Sequence, residues 1–161
     1  MQRLRFVSTC LFLGFLLFAG AAKAQSSQHR FYTNKDGVAI NGYDVVAYFN
    51  QNRAVRGSQK YAVNYKGTHF WFSSQKNRAA FLQHPEKYLP QYGGWCAFAM
   101  ASGNGKVPSD PKTFKLYNGK LYLFFNDYYR GEPFNTIIPW NLNEKTLKNQ
   151  ADANWAKANQ S

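Results

Sequence analysis

Apolar and polar positions alternate with a period of two in two stretches of the chain. Tyr61–Tyr65 and Thr68–Phe72 flank Lys66-Gly67, a spacing that predicts a β-hairpin with Gly67 supplying positive φ in the turn. In the second strand this period sets Phe70 and Phe72 on one face, His69 and Trp71 on the other. Phe114–Tyr117 and Lys120–Phe125 flank Asn118-Gly119, the pair most suited to a type I′ turn, so a second hairpin is expected there. Helical spacing appears between and after them. Ser73 or Ser74 is an N-cap for a helix from Gln75 to Leu82 that turns Asn77, Ala80 and Phe81 inward. Pro85 starts a short turn to Tyr88, because a proline loses nothing at a first helical position. Trp95–Ala101 has helical propensity once Gly93-Gly94, a flexible joint, is passed. Val45–Phe49 is an apolar run readable as a buried strand or as a turn of helix. At the end, Trp140, Leu147, Ala151 and Trp155 form one helical stripe, with Glu144 and Lys148 as an i,i+4 pair outside it. The predicted fold class is α+β: a small antiparallel sheet of two β-hairpins packed with short helices and closed by a C-terminal amphipathic helix.

Composition narrows the setting. The chain has 161 residues, of which 45% are hydrophobic, as expected of one globular domain. Residues 1–24 read as a signal peptide, with Arg3 and Arg5, an apolar run from Cys10 to Phe18, and Ala22-Lys23-Ala24 as the cleavage site. Residues 25–35 are polar and aperiodic and are expected to be a flexible leader, with the domain spanning 36–157. Export to the periplasm or beyond follows from that reading. Cleavage removes three basic side chains and no acidic one, so the mature chain keeps a formal charge of +9. Such a basic protein is attracted to anionic envelope surfaces. Its basic residues are scattered without the run that marks a nucleic-acid-binding arm, so no nucleic-acid partner is expected. No stretch after the leader approaches the roughly 18 apolar residues of a spanning helix, so no transmembrane segment is expected after cleavage.

Candidate chemistry centres on Cys96, the one cysteine left after cleavage. A buried small hydrophobe is the simplest reading. At a helix start the thiolate is favoured, which opens a thiol-dependent enzymatic reading, although no Cys-x-x-Cys pair supports it. Met100 follows four residues later, so both sulfurs share a helix face, and His69 or His84 would complete a soft site for copper or haem. Asp44 and Asp110 read as cap or turn residues. Trp71, Tyr92 and Trp95 group with Cys96 as the expected wall of a small-ligand cleft, His69 being its polar group and Gly93-Gly94 allowing close approach.

A family resemblance joins these segments. Asn41–Phe49, Tyr65–Ser73, Asn77, Phe81, Pro85–Tyr88, Pro90–Ala97, Asn118–Tyr122 and Ala151–Trp155 together resemble the exported bacterial YHS domain-containing proteins. The resemblance implies a fold related to TRASH-like metal modules, in which a hairpin and the helix after it present cysteines to a metal. Ser73, Ser74 and Asn77 stand here where that module has cysteines, so the thiolate cage for zinc is missing. The leading expectation is a non-enzymatic binding module for a small ligand or an envelope partner, with a metal or haem chaperone and a thiol enzyme as alternatives.

Overall fold

A computed structural model describes residues 30–158. The expected signal peptide, and residues 25–29 of the expected leader, lie outside the described residues. The fold is α+β. A 3₁₀ turn, Ile40–Gly42, precedes α1 (Val45–Gln51), β1 (Ser58–Tyr65), β2 (Thr68–Phe72), α2 (Gln75–Gln83) and α3 (Pro85–Tyr88). After a second 3₁₀ turn, Gln91–Gly94, come α4 (Ala97–Ala101), β3 (Asp110–Tyr117), β4 (Lys120–Phe124), β5 (Asn126–Tyr129), β6 (Glu132–Asn135), α5 (Ile137–Leu142) and α6 (Glu144–Ala158). Both expected hairpins form, and Lys66-Gly67 and Asn118-Gly119 have positive φ throughout, as a two-residue turn of this kind requires. A third hairpin, β5–β6, was not foreseen. Each hairpin makes a two-stranded sheet of its own.

Two apolar cores meet at β4. Leu121 and Leu123 enter the first, with Ile40, Tyr48, Phe70, Phe72 and Phe81. Tyr122 and Phe124 enter the second, with Tyr92, Met100, Trp140 and Ala151. Alternate side chains leave opposite faces of a strand, so burying both faces demands the unbroken apolar run that β4 has. Val45–Phe49 is resolved as helix, because Asp44 caps it by accepting from the backbone N–H groups of Val46 and Ala47.

Two expectations are corrected. The domain begins before Asp36: Phe31 is buried, its ring edge-on to Phe70 at 5.2 Å. The Tyr32 N–H donates to the Gly93 carbonyl, so this segment is strapped to the domain by apolar burial and a backbone bond. The C-terminal stripe is divided between two helices, because Asn143 leaves helical geometry at φ −147°. Trp140 sinks into the second core and its Nε1–H donates to Glu144, which also pairs with Lys115 at 2.9 Å. Lys148 therefore pairs with Asp152 instead, at 2.6 Å.

Candidate functional site

The segment from Pro90 to Cys96 runs beside β4, bridging in parallel to Leu121 and Leu123. Tyr92, Gly93 and Gly94 all have positive φ. A Cβ on Gly93 would lie 1.8 Å from the Arg30 carbonyl oxygen, and one on Gly94 would lie 2.1 Å from Ile40 Cδ1. The close approach that these glycines allow is thus taken up by the chain itself.

Cys96 follows as the N-cap of α4 and is fully buried. Its Sγ accepts from the backbone N–H groups of Ala99 at 3.5 Å and Phe125 at 3.3 Å. Thr136 Oγ1 lies 3.4 Å away and donates to the Phe125 carbonyl at 2.9 Å. With that hydroxyl proton committed, the thiol proton is the one shared between Cys96 and Thr136. Cys96, Thr136 and Phe125 close a ring of hydrogen bonds that joins the starts of α4 and α5 to the junction of β4 and β5.

This ring forms the buried end of a cavity of about 330 Å³ between α4 and the β5–β6 hairpin. Phe98, Val107, Phe125, Tyr129 and Phe134 make its apolar wall. Phe134 stands edge-on to Phe98 with ring centres 6.3 Å apart, and Tyr129 lies 6.1 Å from Phe134. A broader depression of about 580 Å³ lies beside His84–Lys87, but it is open surface, and Glu86 in its lining pairs with Lys66 at 2.6 Å. There, hydrogen bonds from Lys66 and Tyr65 hold the Glu86 carboxyl below its ordinary pKa, and the bond to Glu86 raises that of Lys66.

The residues expected to form one cleft are dispersed. His69 is exposed and Trp71 half-buried on the outer face of β2. Gly42 leaves room for the Trp71 indole, since a Cβ there would lie 3.2 Å from Cε3. Tyr92 is buried in the second core, its hydroxyl donating to Asp152 at 2.9 Å. Trp95 packs on Tyr32 at 5.0 Å, and its Nε1 is buried without a hydrogen-bond partner among the described residues. No hydrogen bond or ring contact among the described residues joins His69 or Trp71 to Cys96. Sequence reading found Cys96 but missed Thr136, Phe98 and Phe134. The only signal for Phe134 was an aromatic in a polar, aperiodic stretch.

Residues 46–92 match the YHS domain family. The chain contains a YHS domain. No curated protein and no solved structure matches the chain. The YHS match covers α1 to the Tyr92 turn, so the cavity, built from residues 96–136, lies wholly beyond it.

The YHS domain itself does not fit a metal. Ser73 and Asn77, where the resemblance would put the module's cysteines, direct their donors at the buried Asp44: Ser73 N–H at 2.7 Å, Ser73 Oγ at 2.6 Å and Asn77 Nδ2 at 2.7 Å all reach Oδ2. A carboxylate ringed by donors has no lone pairs left to offer a cation. Among the described residues no three or more His, Cys, Asp and Glu side chains gather as a metal set. Met100, buried in the second core one helical turn from Cys96, would have only that thiol as a partner ligand on α4.

Proposed function

We propose that the protein is an exported, non-enzymatic binding module whose small, mainly apolar ligand sits in the cavity between α4 and the β5–β6 hairpin. One observation carries this reading: aromatic side chains from separate elements line about 330 Å³ of space together with three polar side chains, Cys96, Asn104 and Thr136. Small-molecule sites of roughly 300–1,000 Å³ have this mixture of apolar wall and few polar groups. The sequence supports export through its leader. Cys96 acts as part of the wall, its thiol held within the hydrogen-bond ring, and the reading needs no bond-making step.

The test is a titration of the mature protein with benzyl alcohol, followed by backbone amide NMR. Saturable shifts at Phe98, Ala99, Phe134 and Thr136, weakened in Phe134→Ala, are the expected result. Shifts centred on Trp71 and Trp95 would move the site away from the cavity, and no saturable shift at the cavity would reject the reading.

A further inference from the structure

We propose that the ligand of this cavity carries a bulky organic ammonium group, of the quaternary or tertiary amine class. The inference rests on the cavity being the ligand site and adds what that site selects. Phe98, Phe125, Tyr129 and Phe134 supply four aromatic rings to one wall. The faces of such rings carry negative potential, and a cation within about 6 Å of several of them is held more strongly than a neutral group of the same shape. No lysine or arginine lines the cavity.

The hairpin adds charge of the matching sign. Asp127 lies opposite Phe134 and Glu132 opposite Tyr129 in the β5–β6 register. Residues paired across strands project from the same face, so both carboxylates share the face that carries the two cavity rings. Neither is in an ion pair among the described residues. Of the nearby cations, Arg130 lies over Tyr129 at the hairpin turn, 5.3 Å from the ring centre, and Lys106 is turned onto Trp155 at 5.6 Å. In a chain with 20 basic and 8 acidic side chains, a cavity lined by no lysine or arginine beside two carboxylates outside any ion pair among the described residues departs from the overall charge, although Asp127 accepts from the Tyr128 N–H and Arg130 already lies over Tyr129, where a ligand ammonium would compete with it. Long-range repulsion from the rest of the surface is screened beyond about 8 Å at physiological salt, so the local groups decide.

Choline and its neutral carbon isostere, with tert-butyl in place of trimethylammonium, separate charge from shape. Both are titrated into the mature protein, into Phe134→Leu and into the double variant Asp127→Asn/Glu132→Gln, all at exposed positions. The expected result is choline binding at least tenfold tighter than the isostere at the cavity residues, with the preference reduced in both variants. Equal or tighter binding of the isostere overturns the cation inference and leaves the cavity as an apolar site. If choline and the isostere both fail while benzyl alcohol still shifts the cavity amides, the cation inference falls alone. If all three fail, the ligand-binding reading falls with it.

Discussion

Asp44 is buried with no ion-pair partner among the described residues, yet it is held by five hydrogen bonds: from Val46 and Ala47 at the start of α1, and from Ser73 and Asn77 at the start of α2. One carboxylate thus joins two helix starts to the end of β2. Removing it strands several buried donors, each costing about 1–3 kcal/mol, with some relaxation and water entry offsetting part of the sum. Asp44→Ala is therefore expected to lower stability by about 3–5 kcal/mol in urea denaturation, and Asn77→Ala, which deletes one donor, by about 1–2 kcal/mol. An Asp44→Ala loss below that of Asn77→Ala would show that the carboxylate is not the centre of the network. Cys96→Ser tests a different point at the same scale. A serine hydroxyl can replace the thiol in the ring with Thr136 and Phe125, so cavity binding should survive, whereas Thr136→Val breaks the ring and should weaken it. Loss of binding in Cys96→Ser alone would return the sulfur to a direct role.

At the scale of elements, the strap from Arg30 to Tyr32 depends on Gly93. Both its φ of +61° and the 1.8 Å that would separate an added Cβ from the Arg30 oxygen forbid a side chain. Gly93→Ala should cost more than the roughly 1 kcal/mol of an ordinary left-handed glycine replacement and free the Tyr32 amide, read as faster hydrogen exchange at Tyr32 than at β4. Slow Tyr32 exchange in the variant would mean that Phe31 burial holds the strap unaided. The elements also show what a sequence encodes locally. Lys66-Gly67 and Asn118-Gly119 mark their hairpins because the turn chemistry and the flanking alternation agree. Arg130-Gly131 makes a comparable turn with positive φ at both residues, but β5 and β6 are exposed along almost all their length, so no buried face imprints a period. Gly93-Gly94 was legible as a glycine pair, while what approaches it, a segment some sixty residues upstream, was not. The cavity was hidden for the same reason: Cys96 meets Phe125 and Thr136 across 29 and 40 residues of chain.

At the scale of the whole molecule, β4 ties the YHS half to the half that holds the cavity, and buried tyrosines sit along that seam. Tyr48 donates to the Pro111 carbonyl at 2.7 Å, Tyr92 to Asp152, and Tyr122 has no partner among the described residues. Burial raises the pKa of all three. It carries Tyr122 to about 12, and the bond to Asp152 reinforces the rise at Tyr92. An unfolded tyrosine titrates near 10. Below that value all three are neutral in both states, and their contribution is fully present. Above it the unfolded chain loses protons that the folded chain keeps, so stability falls as pH rises toward the folded values. Each protonated tyrosine steepens the fall by about 1.4 kcal/mol per pH unit, and three together by about 4. Lysine deprotonation relieves self-repulsion over the same range, so the decisive measurement is a difference. Tyr122→Phe removes a buried hydroxyl that lacks a partner, so at neutral pH it should be neutral or stabilising by about 1 kcal/mol. Its denaturation midpoint should then drop less steeply than that of the parent between about pH 10 and 12. Parallel slopes would place the Tyr122 hydroxyl in contact with water, and a destabilised variant at pH 7 would show that the hydroxyl has a partner bridging the two cores.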